Sequence, residues 1–124
     1  MLFQRLTAMS SFRKERLEEL IKRVIAETLL REIKDPRIGF VTVTKVKLSK
    51  DFSTGDVWIS VIGEEKEKKL SMAGIHSAGG YIQRIVGKNI KMRSIPKLRF
   101  HLDTSIEEGV EMVHMLENLV REDE

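Results

Sequence analysis

The chain has 124 residues, 41% of them hydrophobic and 33% charged, with no cysteine and a formal net charge of +3. That length fits one domain able to bury very roughly two thirds of its unfolded surface, and charges of mixed sign argue against wholesale disorder. The lack of cysteine excludes a disulfide scaffold, a thiolate-zinc site and a cysteine nucleophile; no apolar run approaches the ~20 residues of a membrane helix and no secretory leader is recognisable, so a folded cytoplasmic protein is expected.

Residues 1–10 are mixed and without clear period, and read as an N-terminal extension with no assigned function. From Ser11 onward Leu17, Leu20, Ile21, Val24, Ile25 and Leu29 recur at three-and-four spacing, with Arg13, Lys14, Arg16, Lys22 and Arg23 mostly on the other face, which predicts an amphipathic helix. Pro36 biases Asp35 away from helical angles, so the helix should end near Ile33 and Asp35-Pro36-Arg37 should turn. The β-branched run Phe40 to Leu48 predicts a strand with Phe40, Thr42, Thr44, Val46 and Leu48 on one face and Val41, Val43, Lys45 and Lys47 on the other. Turn residues from Ser49 to Gly55 lead into a second strand, Asp56 to Ile62, with Val57, Ile59 and Val61 opposed to Trp58, Ser60 and Ile62; the two are expected to pair as a hairpin.

Gly63 to Lys69 reads as a solvated loop. Leu70 to Lys88 has helical composition, but Ala78-Gly79-Gly80 interrupts it, and each internal glycine costs roughly 1 kcal/mol relative to alanine. The segment therefore predicts helix, kink, helix, with the glycines allowing a sharp bend or a close backbone approach and the second helix carrying Tyr81, Ile82, Ile85 and Val86. A third strand is expected over about Lys91 to Leu102, with Leu98, Phe100 and Leu102 opposed to Lys97, Arg99 and His101, and Pro96 confining its start to an edge or bulge. Ser105 with Glu108 has a capping-box pattern that opens a terminal helix through Ile106, Val110, Val113, Leu116 and Val120. The order α-β-β-α-kink-α-β, followed by a C-terminal acidic helix, predicts an α+β two-layer sandwich over residues 11–103 and an acidic helix or tail over 104–124.

Charge is unevenly distributed. From Asp103 onward eight acids face one base, so the tail carries −7 and residues 1–102 carry +10, which favours a polyanionic partner. Between Arg84 and Phe100 stand Arg84, Lys88, Lys91, Arg93, Lys97 and Arg99 without an acid, so pairing inside the segment cannot neutralise it. These six are the candidate RNA-binding residues, with Arg37, Lys45 and Lys47 as secondary contacts. Six phosphate contacts would position the chain without reading base sequence and would give a single-strand salt slope of roughly −4.

Simple solvation of a small domain by surface lysines is the competing reading, and clustering without acids disfavours it. Tyr81 and Trp58 could stack on bases, but both lie in amphipathic segments and are expected in core or half-buried positions. His101 and Asp103 have a spacing that suits a metal, yet no third ligand is in view and no metal or cofactor is expected. A nuclease would need clustered carboxylates or a His/Lys acid-base pair, whereas Glu107, Glu108 and Glu111 read as a solvated helix face, so no catalysis is expected.

Several motifs occur together in order: Glu32-Ile33-Lys34-Asp35-Pro36-Arg37, Asp51, Ala78-Gly79-Gly80-Tyr81-Ile82, Val86-Gly87-Lys88, Met92 through Phe100, and Asp103-Thr104-Ser105-Ile106-Glu107. In this arrangement, over about Phe12 to Gly109, the chain resembles the ribosome-binding factor A family. The resemblance implies a KH-like (type II) fold whose alanine-x-glycine kink, here Ala78, Gly79 and Gly80, replaces the usual Gly-x-x-Gly clamp. It further implies a monomer, away from membranes, that binds free small ribosomal subunits and their 16S rRNA, assists late maturation and 5′-end processing, matters in the cold, and meets small-subunit proteins and other assembly factors. Gln83, where the family often has arginine, and Lys97, where an acid is common, depart from the pattern. The alternative is a generic KH-like RNA-binding adaptor. The acidic terminal helix would either cover the basic surface as a lid or contact a basic ribosomal protein.

Overall fold

The structure, a computed structural model, describes residues 2–122, with side chains from Phe12 to Val120. Met1 of the expected extension and Asp123 and Glu124 of the acidic tail lie outside the described residues. The elements are α1 (Leu2–Arg31), β1 (Phe40–Leu48), β2 (Thr54–Ile62), α2 (Glu65–Ser77), α3 (Gly79–Asn89), β3 (Lys97–Leu102) and α4 (Ser105–Glu122). The three strands form one sheet in the order β1-β2-β3, with β1 and β2 antiparallel and β3 parallel to β2.

One face of the sheet is covered by helices, as expected for an α+β two-layer sandwich of KH-like topology. Ile21 and Ile25 of α1, Val57 and Ile59 of β2, Ile75 of α2, and Ile82 and Val86 of α3 are fully buried in a single cluster. Each such side chain stabilises the fold by about 1.5–3 kcal/mol relative to leaving it exposed. The opposite face is open: Phe40, Thr42, Lys45, Lys47 and Arg99 are exposed there and Trp58 and His101 are half-buried.

The structure corrects the faces predicted for β1. Val43 pairs with Ile59 but Lys45 pairs with Trp58, so Thr44 is an extra residue in a β-bulge. Alternation is offset at that point. Val43, Val46 and Leu48 are buried and Val41 packs against the core, while Lys45 and Lys47 join Phe40 and Thr42 on the open face. The Thr44 hydroxyl donates to Asp103 Oδ2 at 2.5 Å and lies 3.2 Å from the Trp58 carbonyl oxygen, so it ties the bulge to the end of β3. The signal was present in the sequence: the apolar spacing Val41, Val43, Val46, Leu48 contains one step of three.

Other boundaries also move. α1 begins at Leu2, with no break at Ser11. β3 starts only at Lys97, because Lys91 to Pro96 forms a loop anchored by buried Ile90 and Pro96. α2 begins at Glu65 inside the expected loop, with Glu65 and Glu67 in its first turn, where carboxylates complement the helix dipole. Lys68 of that segment is buried and ion-paired with Glu107.

The expected kink exists. Ala78 alone separates α2 from α3, with φ −84° and ψ −2°. Neither neighbouring glycine is sterically required, contrary to expectation: a Cβ on Gly79 would sit 3.7 Å from Phe100, and one on Gly80 would meet nothing within 4 Å. Gly80→Ala is therefore expected to raise stability by about 0.4–1 kcal/mol through reduced freedom of the unfolded chain, read as a higher denaturant midpoint. A lower midpoint would show that the bend needs glycine.

The hairpin turn is organised by Asp51, whose Oδ1 accepts from the Ser49 hydroxyl at 2.8 Å, the Ser53 hydroxyl at 2.7 Å and the Ser53 N–H at 3.1 Å. These donors, led by the Ser53 hydroxyl, lower its pKa to about 2. Because the folded value lies below the ordinary carboxylate value, the contribution is complete above about pH 4 and disappears as pH falls through about 2. Carboxyl-carbon NMR should show a midpoint near 2 for Asp51, and a midpoint close to 4 would overturn the turn's hydrogen-bond arrangement.

The predicted Ser105/Glu108 capping box is replaced by a neighbouring arrangement. Asp103 Oδ1 accepts the Ser105 N–H at 2.9 Å, and Glu108 accepts the Thr104 hydroxyl at 2.9 Å. Asp103 is held below the usual carboxylate range by the Thr44 hydroxyl first and by Ser105 next.

Candidate nucleic-acid interface

α3 is amphipathic about a simple division. Ile82 and Val86 face the core, while Tyr81, Arg84 and Lys88, three and four residues apart, share an exposed face. The Arg84 guanidinium lies 5.9 Å from the Tyr81 ring centroid, and Tyr81, expected in the core or half-buried, is 37% exposed beside that cation. Lys91 and Arg93 follow on the exposed loop. Arg84, Lys88, Lys91 and Arg93 make no ion pair among the described residues.

Gln83 explains how this helix is held to the sheet edge. Its Nε2 donates to the Pro96 carbonyl at 2.6 Å and its Oε1 accepts the Leu98 N–H at 3.1 Å. The side-chain amide thereby takes up two backbone groups where the free edge of β3 begins, the Pro96 carbonyl and the Leu98 N–H. Gln83 is thus a strut that ties α3, which carries the adjacent Arg84, to the start of β3.

The remaining candidates fall elsewhere. Lys45, Lys47, Lys97 and Arg99 all lie on the open sheet face or at its edge, where register places Lys47, Asp56 and Arg99 in one row and Lys45, Trp58 and His101 in the next. Asp56 is the acid that balances Arg99, at 3.1 Å from Nε, and it also accepts from or pairs with His101 Nε2 at 2.7 Å. The His101 hydrogen bond, then Arg99, holds the Asp56 carboxyl below its ordinary range. His101 therefore faces Asp56 and not Asp103. Lys45 Nζ lies 5.0 Å from the Trp58 ring centroid and His101 is 5.3 Å from it, which leaves Trp58 half-buried between neighbours, as expected.

Arg37 stands apart from both groups. It forks onto Asp35, with Nη2 at 2.7 Å from Oδ2, and donates to the Ser77 hydroxyl at 3.2 Å. Hydrogen bonding to Arg37 lowers the Asp35 pKa and the same contact raises that of Arg37. Its charge is committed to the turn. The nine candidates thus form an unpaired group on α3 and its loop, a partly balanced group on the sheet, and one structural arginine.

The family model described as ribosome-binding factor A matches residues 13–116, from the first helix into α4. The curated relative from Dictyoglomus thermophilum, also described as ribosome-binding factor A, is 45% identical over 113 residues, covering 90% of this chain and 94% of the relative. This chain belongs to the ribosome-binding factor A family. Among solved structures, the solution structure of a putative ribosome-binding factor A from Thermotoga maritima is similar with a TM-score of 0.69 and 34% identity, over 78% of this chain and 92% of that one. The Thermus thermophilus ribosome-binding factor A, a homology model fitted into the cryo-EM map of a 30S complex, is similar with a TM-score of 0.60 and 29% identity, over 72% of this chain and 93% of that one. KH modules clamp a nucleic-acid backbone with a Gly-x-x-Gly loop between two helices. In this chain the joint is the single residue Ala78, so the clamp is absent and α3 itself presents the cations.

Proposed function

We propose that this chain is a cytoplasmic, non-catalytic assembly factor that binds the free small ribosomal subunit as a monomer and assists its late maturation, including processing of the 5′ end of 16S rRNA. The observation that carries this reading is the unpaired cationic face of Arg84 and Lys88, continued by Lys91 and Arg93, on a helix rigidly strutted to the sheet. A structural relative fitted into a 30S complex supports the choice of partner. Cations on a fixed helix contact phosphates and set orientation; they do not read bases. The chain then stabilises an rRNA conformation that separate nucleases recognise.

Co-sedimentation with separated small subunits, large subunits and full ribosomes across a salt series tests the proposal. Binding selective for free small subunits, and weakening steeply with salt, is the expected result. Equal binding to every RNA-containing particle would leave a generic RNA-binding adaptor. Metal-dependent cleavage of precursor rRNA by the purified chain would overturn the non-catalytic assignment.

A further inference from the structure

α4 is an amphipathic helix without a partner. All its described side chains from Ser105 to Val120 are exposed, and Ile106, Val110, Met112, Val113, Leu116 and Val120 are each 52–66% exposed. With Met115 and Leu119 they sweep about 220° of the helix, against the ~100° stripe that suffices for packing on one surface. A face this wide fits a groove that surrounds it. The root of the helix is fixed to the body: Glu107 neutralises buried Lys68 and Asp103 receives the Ser105 N–H. Beyond this root the helix projects without covering the basic surface, so the lid arrangement is not adopted.

Charge selects the occupant. α4 carries Glu107, Glu108, Glu111, Glu117 and Glu122 against Arg121, a net −4. RNA is repelled by such a helix. An anionic membrane surface attracts amphipathic helices whose polar face is rich in lysine and arginine, the opposite of this one. Pairing with α4 of a second copy would bring two segments of like charge together. A protein that offers an apolar groove rimmed by lysine and arginine satisfies both the apolar face and the acids. Resting on the function proposed above, we infer that α4 docks into such a groove on a basic protein of the small subunit. The chain then holds a ribonucleoprotein by both components: the cationic α3 face on RNA and the acidic, apolar α4 on protein.

The test uses the full chain carrying Leu116→p-benzoylphenylalanine, bound to purified small subunits and irradiated. Co-sedimentation is read first, and the cross-linked species is then identified by mass spectrometry. Attachment to a lysine- and arginine-rich small-subunit protein is expected. Val113→Asp should reduce both that cross-link and subunit affinity by about tenfold, with the circular dichroism of the fold unchanged. Cross-linking to rRNA or to a second copy only, or no cross-link while co-sedimentation persists, would overturn the docking inference and leave subunit binding standing. Failure of the unsubstituted chain to sediment with small subunits would overturn both.

Discussion

Arg84→Glu combined with Lys88→Glu is expected to weaken binding to free small subunits on the order of 100-fold at physiological salt, because two phosphate contacts are lost and two repulsions replace them. Both side chains are exposed on α3 and neither is ion-paired among the described residues, so the fold should survive the change. The salt dependence is the sharper readout. Contacts by the four unpaired cations of α3 and its loop would give a single-strand slope of roughly −2.8, and removal of two should leave roughly −1.4. Unchanged affinity and slope in co-sedimentation, with an unchanged melting temperature, would move the RNA surface away from α3. The same substitutions at Arg37 and Arg99 should matter less, because Asp35 and Asp56 already neutralise those two charges.

Gly74→Val should cost about 1–3 kcal/mol, an overpacking penalty at a site where the backbone turn of one element touches the helix of another. A Cβ on Gly74 would lie 2.7 Å from Ile38 Cγ1 and 3.2 Å from Asp35 Oδ2, and the glycine is buried. The turn cannot retreat freely. Arg37 is joined to Ser77, and the Gly39 N–H donates to the Ser71 hydroxyl at 3.1 Å, so displacing the turn also breaks its hydrogen bonds to α2. Thermal unfolding should show a loss of several degrees, given about 2–8 °C per kcal/mol for domains bracketing this size. A melting temperature equal to that of the parent chain would show that the turn and α2 are not in contact. The opposite sign expected for Gly80→Ala makes the pair informative: the glycine that packing requires is not one of the two at the kink.

The sequence was most legible where a period repeats locally. The helical spacing of Leu17 to Leu29, the alternation of Val57, Ile59 and Val61, and the break at Ala78 each depend on residues a few positions apart, and the structure places them as the pattern implies. The broad apolar stripe of α4 was equally visible. Less legible were the weakly patterned starts of elements. GEEKEKK looks like a loop by polarity, yet Lys68 is buried because a partner 39 residues away, Glu107, neutralises it.

For the candidate site, charge and the exposed face of α3 follow from the sequence alone, since Ile82 and Val86 fix which side is buried and so leave Arg84 and Lys88 outside. Tertiary structure decided which of the nine cations share a surface and which remain uncompensated. The bulge at Thr44 depends on how β1 registers with β2, and it carries Lys45 and Lys47 from the helix side to the open face beside Arg99. Asp56 quenches Arg99 from 43 positions away, and Gln83 bonds the start of β3 across a loop. Periodicity is a property of neighbouring residues and can be read along the chain; register and charge pairing are set by groups that become neighbours only on folding.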